Sequence, residues 1–289
     1  MVSKSLECMS ESLKIKINGI ESTLLIKKTY PSFVECINHH SLRIENPQEQ
    51  KNLFIHKYIP LRFLLVLLKE KYLIFKPVSS WEDPYENFFL KQHFVRPGWR
   101  EGMPFDSIEN VTKGLFGMSW SLQQETDSLW RIYSTDKLSV RITSTIESMV
   151  ETVCSEEDKW DVWMGIVNYK NVEELSEWLN CKEVKDYDDF FEKMTDSFFI
   201  KRDAFSHEQE YRIVVNYTRE IKPTLCFRCD PEKLIKSYLV DPRLNKYEYE
   251  AVKSALLSVG VSESKIAQSS LYDFHPQKVE MKYDVFQDF

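Results

Sequence analysis

The alternation of side chains between Ser206 and Val215 defines a β-strand with two unlike faces. One face is apolar and suits a core: Tyr211, Ile213 and Val215. The other face carries Glu208, Glu210 and Arg212. Residues two apart in a strand lie roughly 7 Å from each other, so two carboxylates are predicted side by side with a guanidinium next in line. The simpler interpretation is a solvated face with a Glu210–Arg212 ion pair, and the alternative is a chemical site.

Composition limits the classes of function. The chain has 289 residues, enough for one large domain or two small ones, with only 7 glycines and a net charge of −7. Neither of the two common Gly-rich phosphate-binding motifs is present in the sequence. The negative charge argues against general attraction of nucleic acid to the surface, but it does not exclude a local basic groove.

The apolar segments predict a protein without a membrane anchor. The first residues contain no signal peptide, and the longest apolar run, Phe63 to Leu68, is too short to cross a bilayer. We therefore expect a cytoplasmic protein with reduced thiols. Cys226 and Cys229 have no second pair at zinc spacing, so a structural role is expected and no metal site is predicted.

The order of the elements indicates an α+β fold. Two strand patterns flank Asn18-Gly19, which predicts a hairpin, and a short helix is predicted to begin at Ser32. These elements predict a small appendage over residues 1–50 and a main domain over residues 51–289. In the main domain, short strands alternate irregularly with helices, including a helix predicted from Asp83 to Phe94.

Two further segments carry candidate binding residues. In the first strand of the main domain, His56 and Tyr58 share one face and Lys57 takes the other. In a middle strand, Ser119 and Ser121 share a face, where their hydroxyl groups can brace a ligand. The structural alternative for the first segment is an ordinary strand end with exposed His and Lys. For the second segment it is a strand whose polar face simply carries serines.

The segment that follows the middle strand offers aromatic and cationic side chains. Trp130 and Tyr133 are helix neighbours three residues apart, which suits a stacking wall for a ligand or, alternatively, plain core packing. Arg131 lies in the same predicted helix, and Arg212 lies on the strand of Glu208 and Glu210. Asp83 and Glu86 have the spacing of a helix cap, and that structural role accounts for both.

Taken in order, several of these segments resemble an uncharacterised bacterial domain family. The segments are Lys57-Tyr58, Trp81 to Glu86, Met118 to Ser121, Leu129 to Tyr133 and Glu208 to Arg212. The family pattern has a Lys-Tyr start, an Asn-Asp-Pro-x-Glu block, a Phe-Ser segment before a Trp-x-x-Tyr, and a Glu-x-Glu-Tyr-Arg strand. This chain departs from it with Glu82 in place of Asn and with Ser119-Trp120 in place of Phe-Ser.

More distantly, the same segments resemble the ADP-ribosyltransferase fold. The resemblance implies a mixed, mainly antiparallel split sheet with flanking helices, and NAD as the substrate. It implies that Glu210 stabilises charge on the nicotinamide ribose and that Glu208 orients or deprotonates the acceptor. The remaining implied ligand contacts are His56, Lys57, Tyr58, Ser119, Ser121, Trp130, Arg131, Tyr133 and Arg212. Among them, the resemblance implies that Arg131 or Arg212 contacts the pyrophosphate. At the first strand the family also uses Arg, which this chain lacks there.

The resemblance implies transfer of ADP-ribose to protein, nucleic acid or water, in a bacterial toxin or phage-defence setting. A non-catalytic sensor or binding module is the alternative. A third hypothesis is a metal-dependent nuclease built on Asp83, Glu86, Glu208, Glu210 and a lysine. The catalytic hypothesis requires Glu210, the serine hydroxyls and His56 or Lys57 to meet at one concave site. It also treats Glu210 as an exposed strand position, at which substitution by Gln costs within about 1 kcal/mol.

Overall fold

The computed structural model describes residues 11–17, 20–26, 50–92, 94, 112–153, 161–181, 183–217 and 223–280. The strands are β1 (Glu11–Ile17), β2 (Ile20–Ile26), β3 (Phe54–Pro60), β4 (Tyr72–Pro77), β5 (Leu115–Ser121), β6 (Ser139–Thr145), β7 (Asp161–Ile166), β8 (Asn168–Lys170), β9 (Ile200–Arg202), β10 (Glu210–Asn216), β11 (Leu225–Arg228), β12 (Ser237–Val240) and β13 (Ile266–Gln268). The helices are α1 (Leu61–Glu70), α2 (Asp127–Tyr133), α3 (Ile146–Val153), α4 (Val172–Asn180), α5 (Tyr187–Ser197), α6 (Pro231–Leu234) and α7 (Lys246–Ser258).

In the part of the chain that the structure describes, nine strands form one sheet. Its main path runs β11-β4-β5-β3-β6-β12-β13, while β10 pairs with β5 and β7. Neighbouring strands are antiparallel except β12 and β13, and β8 pairs with β9 in a separate parallel ladder. The predicted mixed, mainly antiparallel sheet with flanking helices is therefore confirmed.

The sheet forks at β5. Along one edge, all seven residues of β5 pair with β10. Along the other edge, Phe116 and Gly117 pair with β4, whereas Ser121 pairs with His56 of β3. The two branches thus pair with different stretches of the same edge of β5, and Ser119 lies between those stretches.

Strand β10 lies between β5 and β7, and both its faces are buried. Its odd-numbered residues join the larger core, as the sequence predicts: Tyr211, Ile213 and Val215. Helices α1, α3 and α7 cover this core with Leu64, Leu67, Leu68, Ile146, Met149, Val150, Val153, Val252 and Leu256. On the opposite face, Val214 packs into a second core with Trp163 and Phe198.

The polar face of β10 is also buried, so the expectation of a solvated face is wrong. Glu210 is 6% exposed and Arg212 is 0% exposed. Glu208 is not part of the strand: it ends a 3-10 turn (Asp203–Glu208), and Gln209 follows in the left-handed conformation at φ 42°. The two glutamates are thus brought together by a turn and a strand rather than by one extended segment.

The helix predicted from Asp83 is also absent from the described part of that segment. Residues 84–87 form a turn, and a 3-10 helix (Phe88–Lys91) follows. Asn87 has a left-handed φ of 54° and donates its side-chain amide to the carbonyl of Val78 at 2.9 Å. A left-handed residue interrupts an α-helix, which explains the difference.

The N-terminal strands β1 and β2 are antiparallel, and Ile17 lies opposite Ile20. This is the register of a hairpin with a two-residue connection. The Asn18-Gly19 turn and the helix predicted at Ser32 lie outside the described residues, and the division at residue 50 stays a prediction. No helix within the described ranges is long and apolar enough to span a bilayer.

Candidate active site

A row of three polar side chains crosses the sheet at the point where β3 pairs with β5. Ser121 of β5 lies opposite His56 on one side and opposite Glu210 on the other. Directly paired residues of antiparallel strands point to the same face of the sheet. His56, Ser121 and Glu210 therefore share one face, although the chain separates the first from the last by more than half its length.

This row borders a cavity of about 150 Å³. Its lining residues are His56, Lys57, Tyr58, Ser119, Trp120, Ser121, Leu129, Tyr133, Glu208 and Glu210. The structure thus brings together both predicted catalytic glutamates and six of the nine predicted ligand contacts. It does so through strand register and through α2, which places Tyr133 over the row.

The side chain of Lys57 lies between the two branches of the sheet. Its ammonium group donates to the backbone carbonyl of Ser119 at 2.7 Å, between the β4 and β3 pairing regions of β5. Burial lowers the pKa of Lys57 to about 8, with Glu210 opposing the shift and Lys76 adding to it. Lys57 is therefore a cation that loses its proton more easily than an exposed lysine.

The two glutamates meet at a single ammonium group. Lys201 of β9 lies 2.7 Å from Oε2 of Glu208 and 2.6 Å from Oε1 of Glu210. Glu208 also accepts a hydrogen bond from the Tyr133 hydroxyl at 2.7 Å, and its backbone carbonyl accepts one from Ser121 at 2.6 Å. These contacts fix both carboxyl groups at the wall of the cavity.

Arg212 supports Glu210 from behind. Its Nε donates to Oε2 of Glu210 at 2.6 Å, and its other nitrogens donate to Glu86 and to the backbone carbonyl of Phe198. The guanidinium also stacks on Trp81, 4.4 Å from the ring centroid. Arg212 is therefore fully engaged inside the protein.

The surroundings of Glu208 and Glu210 shift the pKa values of the two carboxyl groups in opposite directions. Burial, followed by a hydrogen bond with Glu210, raises the pKa of Glu208 above its usual range despite Lys201 and Tyr133. Burial also acts to raise the pKa of Glu210, but the charge of Arg212 and the surrounding hydrogen bonds outweigh it and hold that pKa well below its usual range. Paired carboxyls that differ in this way can divide acid and base roles.

His56 is a neutral side chain in this setting. Burial, followed by the charge of Arg141, lowers its pKa to about 3. Its Nδ1 lies 3.0 Å from the Thr143 hydroxyl. That contact fixes the ring, and Nε2 stays available as an uncharged hydrogen-bonding group.

Three predicted ligand contacts are not placed at the cavity, which corrects the sequence-based expectation. Trp130 is 0% exposed, donates to Glu125 and packs edge-on against Tyr58, so it belongs to the core. Arg131 points outward and pairs with Asp127 of the same helix at 2.7 Å. Arg212 is bonded to Glu210, Glu86 and the carbonyl of Phe198, and neither arginine lines the cavity.

Three residues support the site in roles that the sequence did not predict: Glu86, Lys201 and Tyr169. Glu86 contacts Arg212 and lies 3.5 Å from Lys201, instead of completing a helix cap. The hydroxyl of Tyr169 accepts a hydrogen bond from the backbone amide of Glu210 at 2.8 Å. Lys201 follows Ile200 in a three-residue strand, where no local pattern signals a polar partner.

The nuclease hypothesis does not match this arrangement. Asp83 forms a two-point contact with Arg202, with its shorter bond at 2.7 Å. Lys201 and Arg212 lie between Glu86, Glu208 and Glu210. Over the described ranges, no set of three His, Cys, Asp or Glu side chains is placed to hold a metal ion.

Comparison with known proteins yields one structural likeness. No family model matches the chain, and no curated protein matches it. Thermus sp. 2.9 DarT in complex with carba-NAD+ is similar in structure, with 11% identity over 72% of this chain and 91% of that chain, at a TM-score of 0.32. Likeness at this level decides neither the activity nor the site, and the resemblance to the uncharacterised bacterial family stays a prediction.

Proposed function

We propose that the protein is an ADP-ribosyltransferase-like enzyme that cleaves the bond between nicotinamide and ribose in NAD. The observation that carries the proposal is the row of His56, Ser121 and Glu210 beside a cavity, with Glu208 next to Glu210. In the reaction, the C1′–N bond breaks with its electron pair going to nicotinamide. The acceptor then supplies a new electron pair to C1′ and loses a proton.

Glu210 is suited to the charge that develops on the ribose. Its pKa lies well below the usual range, so it is ionised at neutral pH. A carboxylate has about four acceptor positions, and Lys201 and Arg212 each contact one oxygen. The remaining positions allow Glu210 to accept a ribose hydroxyl and to stabilise positive charge at C1′.

Glu208 is suited to the acceptor. Its raised pKa makes it a better base than an ordinary carboxylate once it has lost its proton. Tyr133 and Lys201 hold its two oxygens in place. In this proposal Glu208 takes the proton from a hydroxyl, an amine or water as that group attacks C1′.

The other lining residues bind the substrate. Neutral His56 offers Nε2 to a ribose hydroxyl, and Ser119 and Lys57 line the same wall. The ring of Tyr133 stacks on that of Tyr58, with centroids 5.9 Å apart and an angle of 19° between them. Tyr133 is 42% exposed, which suits stacking against nicotinamide. By analogy with the fold, such an activity acts in the cytoplasm as a bacterial toxin or defence enzyme.

A binding module without turnover is the second candidate, and one observation favours it. Each oxygen of Glu210 is already bonded to a cation inside the protein. Such pairing reduces the field that a carboxylate presents to a ligand. In this case the cavity holds NAD or a related nucleotide and reports its presence to a partner.

The test is incubation of the purified full-length protein with NAD labelled in its adenylate part, with and without cell lysate. Release of nicotinamide and transfer of label are expected from the wild type and from the control Glu70→Gln, which changes an exposed helix residue. Both signals are expected to disappear in Glu210→Gln. NAD binding without release supports the binding module, and an absence of both binding and release overturns the proposal.

A further inference from the structure

Arg141 lies on β6, on the face of the sheet that carries the cavity. It is directly opposite Tyr58, and its neighbour Thr143 is opposite His56. Both Tyr58 and His56 line the cavity. Side chains directly opposite on antiparallel strands lie about 5 Å apart at Cβ, so Arg141 lies beside Tyr58, just beyond the residues that line the cavity and on the side away from Glu210.

Arg141 is buried without a partner. It is 8% exposed, its Nε is fully buried, and its side chain makes no hydrogen bond or ion pair with any residue that the structure describes. The acid that acts on it electrostatically is Glu125. Glu125 instead accepts hydrogen bonds from Trp130 and Ser269.

The contrast with Arg212 shows that this state is unusual within the molecule. Arg212 is buried more deeply, at 0% exposed against 8%, and it has two carboxylates and a backbone carbonyl as partners. A guanidinium nitrogen that is buried without a partner, as the Nε of Arg141 is, is unfavourable because it loses its hydration and gains no compensating bond. A protein that keeps such a group has a reason other than the stability of the unliganded fold.

We propose that Arg141 is the phosphate-binding residue of the ligand held in the cavity. A guanidinium presents a planar set of donors that matches two oxygens of a phosphate group. Bound phosphate would supply both the charge and the acceptors that Arg141 lacks. The choice of pyrophosphate as the group that binds rests on the proposed function, since NAD carries a pyrophosphate.

The spacing suits a dinucleotide. Glu210 and Arg141 are on strands separated by three spacings, β10-β5-β3-β6, which is roughly 14 Å. The anionic Glu210 thus lies in the cavity wall, and the cationic Arg141 lies beyond Tyr58 on the opposite side. A ligand with a cationic ring at one end and phosphates further along matches that polarity, and Arg141 takes the role that sequence analysis assigned to Arg131 or Arg212.

The test compares the wild type with Arg141→Met and Arg141→Lys, using inorganic pyrophosphate and NAD as probes in titration calorimetry at fixed ionic strength. We expect Arg141→Met to weaken binding of both probes about tenfold or more, and Arg141→Lys to weaken it less. Nicotinamide riboside, which lacks phosphate, is expected to bind equally to wild type and variants. The melting temperature of unliganded Arg141→Met is expected to equal or exceed that of the wild type, because a partnerless buried charge has been removed.

Two outcomes overturn the inference. The first is unfolding or a clearly lower melting temperature of unliganded Arg141→Met, which would make Arg141 a structural residue. The second is pyrophosphate that binds wild type and Arg141→Met equally or binds neither. If pyrophosphate binding depends on Arg141 while NAD is not cleaved, the phosphate site stands and the proposed function fails.

Discussion

Lys57 donates a hydrogen bond from its ammonium group to the backbone carbonyl of Ser119 at 2.7 Å. The contact bridges the fork, because β5 pairs with β4 up to Gly117 and with β3 at Ser121. The side chain of Lys57, on β3, thus provides a hydrogen-bond donor for a backbone carbonyl of β5, the strand with which both β3 and β4 pair. Lys57 therefore contributes to the shape of the cavity as well as to its charge.

The lowered pKa of Lys57 predicts a pH-dependent stability. Its pKa is about 8 in the folded protein against 10.5 ordinarily, because burial disfavours the charged form. Between these values the unfolded chain binds more protons than the folded one, so the contribution of Lys57 to stability rises with pH. Below pH about 8 both states are protonated and the cost of burying the charge is present in full.

Urea unfolding of wild type and Lys57→Met from pH 7 to pH 10 measures this effect. The difference in unfolding free energy is expected to move in favour of the wild type as pH rises. Lys69→Met, at an exposed position of α1, is the matched control and is expected to show no such trend. A difference that stays constant across this pH range would contradict the assignment.

The two glutamates are predicted to respond differently to the same substitution. Glu210→Gln removes a buried anion between Lys201 and Arg212, which is expected to cost about 3 kcal/mol. This replaces the expectation of a cost within about 1 kcal/mol, which assumed an exposed position. Glu208→Gln is expected to cost less, since an amide resembles the protonated carboxyl that burial favours at that position.

Chemical denaturation of both variants at neutral pH provides the comparison. A larger loss in Glu208→Gln than in Glu210→Gln would reverse the assignment of the more acidic carboxyl. Equal losses would show that the two groups act as a single shared site rather than as a divided pair.

The alternating pattern in the sequence predicted the apolar face of β10 because that face lies in a core. The row of His56, Ser121 and Glu210 depends on strand order and register, which a single sequence does not state. There the resemblance to a known fold supplied the grouping of residues.

The partners of the buried charges could not be predicted because their contacts are long-range. Glu86 has the spacing of a helix cap, and only the left-handed Asn87 shows that no α-helix follows. Arg141 alternates with apolar neighbours and has the pattern of a solvated strand face. Its burial becomes visible only when β3 and β12 are placed on either side of β6.

Gly117 is predicted to be required by Trp81. A Cβ at Gly117 would lie 2.4 Å from Cζ2 of Trp81, and the guanidinium of Arg212 stacks on the ring of that tryptophan. Gly117→Ala is therefore expected to displace the indole and to lower stability by about 1–3 kcal/mol. The smaller ring of Trp81→Phe is expected to relieve most of this penalty in the double variant.

Gly114→Ala is the matched control for that cycle. Its Cβ would lie 2.9 Å from the backbone oxygen of Tyr217, a contact that Trp81 does not influence. Its cost is therefore expected to be the same in the wild type and in Trp81→Phe. Additive losses for Gly117→Ala and Trp81→Phe in urea unfolding would show that the indole is not what excludes a side chain at position 117.

Tyr133 is predicted to tune the acidity of Glu208. Its hydroxyl donates to Oε1 of Glu208 at 2.7 Å, and a hydrogen bond to the ionised carboxylate lowers its pKa. Tyr133→Phe removes that donor, so the pKa of Glu208 is expected to rise further. If Glu208 deprotonates the acceptor, the acidic limb of the rate of nicotinamide release moves to higher pH, while stability falls by only about 1 kcal/mol. Tyr247→Phe, at a position that is 86% exposed, serves as the control with an unchanged profile. An acidic limb that does not move in Tyr133→Phe would assign the base to another group, because no other step of the proposed reaction depends on this hydrogen bond.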